Sequence, residues 1–399
     1  MFLSDFTGKG TAVEYRRLGK TELMVSQIGF GAEWIGKMED VDVDSLVERA
    51  TEAGVNIVDC WMSDPAIRDA LGRALKGERD KWIIQGHVGS TWQNGQHVRT
   101  RDMAYVRPAF EDLLQRLGAD HIDIGMVHYV DYVDEFEDIM EGEFFAYMRE
   151  LKAQGKIKHI GLSTHNPEIV IRCAECGEIE TVMYSVNPVY DRMPTFTTHG
   201  KPIVITFGEA FEQMDENPGQ MDPVRVEAYA ACERHDVGIT VMKAYVGGRL
   251  LDAEKSPFGV ALTPVQCLHY ALTRPAVGSI MVGVESVEQL EGALAYEDAT
   301  AEQLDYASVL AAAPKHAFAG QCTYCGHCAP CMAGINIALV GKYFDLASLH
   351  DEVPASVRDH YLALDVQADA CTGCQDCESR CPFGVPIAQR MAEAVELFA

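Results

Sequence analysis

Ile28-Gly29-Phe30-Gly31-Ala32-Glu33-Trp34 decides between two folds. An apolar run ending in Gly-x-Gly suits the first strand of many α/β proteins, but a doubly wound dinucleotide-binding sheet adds a third glycine, Gly-x-Gly-x-x-Gly. Trp34 stands where that glycine would be. Outward from this stretch, short β-branched runs recur at residues 27–30, 56–59, 82–87, 122–128, 157–163, 181–186, 238–243 and 279–282. Between them, apolar residues at helical spacing mark 42–53, 65–75, 103–117, 136–154, 224–235 and 263–273. Strand alternating with helix through eight strands predicts an α/β protein built as a (β/α)8 TIM barrel. The long segment 190–222, rich in Pro, Gly, Thr and Met, exceeds an ordinary strand-to-helix connection and is expected as an insertion over the barrel mouth.

The barrel rhythm ends near residue 302, and the remainder is punctuated by cysteine. Eight of the thirteen cysteines form two runs, Cys322-x2-Cys325-x2-Cys328-x2-Cys331 and Cys371-x2-Cys374-x2-Cys377-x3-Cys381-Pro382. Zinc sites also use Cys-x2-Cys pairs, but four cysteines at this density with a trailing proline fit iron–sulfur ligation better. The expectation is two [4Fe–4S] clusters, each run giving three thiolates to one cluster and its last to the other. Cys322, Cys325, Cys328 and Cys381 would then hold one, and Cys371, Cys374, Cys377 and Cys331 the other. The helical pattern between the runs predicts a small α-helical ferredoxin-like domain. The expected organisation is a tail at 1–13, a barrel at 14–301 carrying the insertion, and the cysteine domain at 302–399.

Composition narrows the setting. The chain has 399 residues, 48% of them apolar, and a formal net charge of −27. Such acidity makes nucleic acid and anionic membrane poor partners. No signal-peptide core and no run of ~18 apolar residues is visible, so a cytoplasmic protein without membrane insertion is expected. Cysteines in a reducing compartment read as metal ligands and buried thiols, and oxygen-labile clusters suit an anaerobic cell.

Several motifs resemble the aldo-keto reductase family. They are Glu14-Tyr15-Arg16-Arg17-Leu18-Gly19-Lys20-Thr21, Val25 through Gly31, Gly54-Val55-Asn56-Ile57-Val58-Asp59, Gly161-Leu162-Ser163-Thr164-His165, Val241-Met242-Lys243 and Val282-Gly283-x-x-Ser286-Val287-Glu288-Gln289-Leu290. The tail, with Cys328-Ala329-Pro330-Cys331 and Cys371-Thr372-Gly373-Cys374, resembles the ferredoxin-type extension of that family's iron–sulfur branch. The resemblance implies an Asp, a Tyr, a Lys and a His at the barrel mouth, with Tyr protonating a carbonyl that NADPH reduces. Asp59 matches the family Asp and His128 the family His. Asp64 takes the place of the tyrosine, His87 that of the lysine, and Val186 that of the tyrosine stacking on nicotinamide. Glu285 falls where an arginine often reads the 2′-phosphate, and a carboxylate there repels it. Gly247-Gly248-Arg249 resembles the family's pyrophosphate loop. NAD(P)H is therefore expected to bind below the ordinary affinity of relatives.

Asp59, Asp64, His87 and His128 are the candidate catalytic residues, since they offer carboxylates and imidazoles for proton transfer at strand ends. A carboxylate beside two imidazoles is expected to raise their pKa values. Trp34, Trp61 and Trp92 are candidates for a pocket wall. Cys60 and the Cys173-Ala174-Glu175-Cys176 pair read as idle thiols. The expected function is an iron–sulfur oxidoreductase that reduces a small organic substrate with electrons passed through the clusters, served by a ferredoxin-like or other redox partner. Two alternatives stand beside it: an NADPH-linked reductase coupled to a ferredoxin-like carrier, and a non-catalytic electron-transfer subunit with an inactive barrel.

Overall fold

Eight parallel strands close on themselves in the computed structural model, which describes residues 13–193, 221–315, 320, 322–350 and 352–399. The staves are β3 (Ile28–Gly31), β4 (Ile57–Cys60), β5 (Ile83–Val88), β8 (Ile122–Val127), β9 (Ile157–Thr164), β10 (Thr181–Ser185), β11 (Gly238–Met242) and β12 (Val277–Gly283), with β12 pairing back to β3. Each expected strand lies within a few residues of an observed one. The β-branched, apolar strands are buried on both faces, as parallel staves under a helical layer must be.

Two antiparallel hairpins decorate the barrel. β1 (Tyr15–Arg17) and β2 (Met24–Ser26) send Leu18 and Val25 into the interior, where they meet Ile57, Ile124, Met126, Met183 and Met281. Gly19 must be glycine there: its φ is +52°, and a Cβ would lie 2.2 Å from the amide nitrogen of Gly238. The second hairpin, β6 (Ser90–Gln93) and β7 (Gln96–Arg99), follows β5 directly.

The expected helix at 136–154 is two helices, Val133–Glu141 and Glu143–Ala153. Gly142 breaks it with extended backbone at ψ 179°. Of the insertion at 190–222, residues 194–220 lie outside the described residues; on either side stand the short helix Tyr190–Arg192 and Asp222, whose carboxylate caps the helix Pro223–Arg234.

After the barrel, the helices Ile337–Ala347 and Ile387–Phe398 pack together within a second apolar core. Each follows a cysteine run of matching backbone. Counting from the first cysteine of each run, the third and fifth residues have positive φ: Tyr324 and Gly326 in one, Gly373 and Gln375 in the other. Gly334 and Gly384, each three residues past its run's last cysteine, repeat the agreement. No helix among the described residues is long and apolar enough to cross a membrane.

Candidate functional site

At the C-terminal ends of the staves a chain of polar side chains replaces the apolar filling. Asp59 is on β4, and Gln85 and His87, two apart on β5, share one face of the pleat. His128 follows β8. His87 Nε2 lies 3.0 Å from Asp59 Oδ1, and His87 Nδ1 lies 2.8 Å from Nδ1 of His128. Gln85 donates to the same Asp59 oxygen at 2.7 Å and accepts from the Thr240 hydroxyl at 3.0 Å. All four are buried. Three of the expected residues, Asp59, His87 and His128, are therefore in one hydrogen-bonded line.

Asp64 is not in that line. Its carboxylate accepts from the Ala66 amide at 2.9 Å and caps the helix Pro65–Ala74, whose first residue is proline. Val186 is fully buried. The Glu285 amide donates to the Gln289 side chain at 2.9 Å.

The expectation of raised imidazole pKa values fails at His128. Burial pushes it well below its ordinary value, and neighbouring His87, His97, Arg101 and Arg99 push the same way. His97, on β7, was not singled out in the sequence. It lies edge-on to Trp61 at 5.3 Å and to His128 at 5.4 Å, with Nδ1 3.1 Å from the Ser63 hydroxyl. Burial lowers its pKa too. Trp61 stacks parallel to His128 at 5.7 Å, so its ring forms one wall of the site.

Glu33 and Lys243 are further groups here that sequence reasoning left aside. Burial raises the Glu33 carboxyl against the opposing hydrogen bond from the Trp61 indole. Lys243 keeps exposed surface, yet the protein packed around it lowers its ammonium, while Asp131 and Glu33 act in the other direction. Asp131 is engaged with Thr164 and His165 at 2.7–3.0 Å. Cys60 and Cys173 are buried, and burial pushes the Cys60 thiol up to about 12, which leaves it protonated and inert.

In the tail, Cys322, Cys325 and Cys328 line one recess together with Cys381 from the second run. It encloses about 420 Å³ of open space, solvent at its entrance included. The Tyr324 amide bonds to Cys322, and the His327 amide and Thr323 hydroxyl bond to Cys325. Burial raises the Cys322 and Cys328 thiols to about 12. Among the described residues no group of three or more His, Cys, Asp or Glu is gathered so as to hold a metal ion.

Residues 27–193 match the model of the Aldo/keto reductase family. The uncharacterized oxidoreductase YqkF of Bacillus subtilis is 25% identical over 284 residues, 69% of this chain and 88% of that protein. L-galactose dehydrogenase of Arabidopsis thaliana is 26% identical over 301 residues, 70% of this chain and 87% of that protein. A solved structure, the putative aldo-keto reductase PA4992 of Pseudomonas aeruginosa, covers 72% of this chain and 96% of its own with a TM-score of 0.55 at 24% identity, a likeness of fold.

Proposed function

We propose, from a barrel of aldo/keto reductase type, that this oxidoreductase reduces a small organic substrate at the barrel mouth with electrons delivered through two [4Fe–4S] clusters in its tail. The observation that carries the reading is the recess drawing three thiols from one cysteine run and the fourth from the other. A single tetrahedral ion needs its sulfurs about 2.3 Å from one centre. A cube spreads them over its corners, so the four thiols around the recess need not converge on one point. Amide and hydroxyl donors to the sulfurs suit thiolates held to iron, since hydrogen bonds to sulfur tune such centres. When bound, the clusters supply electrons one at a time.

The chain's own part is to move protons. Two imidazole nitrogens share a hydrogen bond only when one carries the proton. With Asp59 ionised, His87 donates from Nε2 and accepts at Nδ1 from His128, whose Nε2 is then bare. A proton arriving at that Nε2 lets His128 pass its Nδ1 proton to His87, so that the charge rests beside the Asp59 carboxylate. The reverse sequence delivers a proton to a substrate oxygen as it gains electrons. The depressed basicity of His128 supports this division, because a proton placed on it is readily passed on.

The test is to titrate the purified anaerobic protein with NADH, NADPH and reduced ferredoxin while following the visible bands and EPR signals of the clusters. Reduction by ferredoxin, with weak nucleotide binding and little preference for the 2′-phosphate, is expected. Tight NADPH binding with rapid reduction of the clusters would replace this reading by the NADPH-linked one.

A further inference from the structure

The tail meets the barrel around a buried guanidinium. Arg274 follows the helix Pro264–Leu272 and is 2% exposed. Its Nη2 donates to the carbonyl of Thr323, to the Thr273 hydroxyl at 3.0 Å and to the Tyr306 hydroxyl at 3.4 Å. Nε donates to the Tyr270 carbonyl at 3.3 Å, and Nη1 approaches the Met221 sulfur at 3.5 Å. The guanidinium lies 4.4 Å from the Tyr270 ring and 5.2 Å from that of Tyr324. Every one of these partners is uncharged.

A guanidinium cannot shed its proton, so a buried one needs a counter-charge. Among the described residues no carboxylate bonds to Arg274. The acid nearest in its network, Asp191, accepts from the Tyr270 hydroxyl at 2.8 Å but is already paired with Arg225 at 2.9 Å. The arginine that does line the recess, Arg390, is paired with Asp345 and brings no net charge. Thr323 and Tyr324, which Arg274 touches, are themselves walls of the cysteine recess. Asp191 and Asp345 attract Arg274 without touching it, and each is paired with another arginine; an anion in the recess, such as four thiolates on an iron–sulfur cube, would give Arg274 a counter-charge of its own.

We propose that Arg274 is a positioning residue that provides the buried positive charge for the cluster held by Cys322, Cys325, Cys328 and Cys381, and raises that cluster's reduction potential. Reduction adds negative charge, and a fixed cation on the far side of one peptide favours the reduced form. The inference rests on the cluster reading and is tested separately from it. Arg274→Met and Arg274→Lys are compared with wild type by EPR-monitored redox titration and iron analysis of the intact protein. Arg274→Met should lower the midpoint of one of the two clusters and leave the other in place, with Arg274→Lys restoring most of the shift. Loss of one cluster in Arg274→Met alone, with Arg274→Lys retaining it, supports the same conclusion. Unchanged midpoints in Arg274→Met, or equal loss of iron in both variants, would overturn it. Wild-type protein that binds zinc or no metal would instead remove the cluster reading itself.

Discussion

A proton placed on His128 need not stay there, and that is the use of a second ring behind it. His128 is stripped of basicity by burial and by four cationic or imidazole neighbours, while His87 touches Asp59 at 3.0 Å. Positioned acid–base groups contribute roughly 10²–10⁴-fold to a rate. His87→Ala and His128→Ala are each expected to reduce turnover by about that factor, with iron content and thermal unfolding close to wild type. Turnover at the wild-type rate in both variants would make the imidazoles structural. Asp59, His87 and His128 were legible in the sequence because each ends a β-branched run, and strand ends on one side of a barrel converge. Asp64 was not, because a residue just past a strand can turn to the mouth or cap the next helix. The proline at Pro65 was the signal for a cap.

At the scale of elements, the hairpin bearing His97 was within reach of the sequence. Asn94-Gly95 between two extended runs is the signature of a tight hairpin, and the two residues have φ of +53° and +77°. The split of the 136–154 helix was harder to read, since an isolated glycine inside an apolar helical pattern is tolerated at a cost of about 1 kcal/mol. The helix Pro264–Leu272 carries another imidazole, the half-buried His269, whose Nδ1 lies 3.2 Å from the Tyr296 hydroxyl. Burial lowers its pKa to about 4, with Arg274 and Arg16 adding to the effect. The folded state thus keeps this ring neutral while the unfolded chain protonates it below about 6.5. Between those two values the unfolded state binds more protons, so stability falls as pH falls, by up to about 1.4 kcal/mol per pH unit for one group. His269→Gln should flatten the loss of urea-unfolding stability between pH 6.5 and 4 by as much as one proton. An unaltered slope would show that the ring is already charged in the folded protein.

For the whole molecule, the cysteine spacing predicts from sequence a grouping of thiols, of which Cys322, Cys325, Cys328 and Cys381 line one recess. What spacing could not supply was the internal symmetry of the tail or its bond to the barrel. Positive φ at Tyr324 and Gln375 is invisible where glycine is missing, and Arg274 is an ordinary residue until its burial is known. Cys381 lines the recess of the first run although it ends the second, and the proposed clusters turn that into a specific prediction about ligation. Cys322→Ala and Cys381→Ala should therefore remove the same cluster, each lowering iron from about eight to about four per chain and leaving identical residual EPR spectra. Cys374→Ala, from the exposed part of the second run, should remove the other cluster and leave the complementary spectrum. If Cys381→Ala and Cys374→Ala instead leave the same residual spectrum, each run folds around its own metal and the crossed ligation is wrong. Crossed ligation would tie the two repeats into one unit. Loss of either run's final cysteine should then weaken the packing of the helices Ile337–Ala347 and Ile387–Phe398 against each other, readable as faster amide exchange in both.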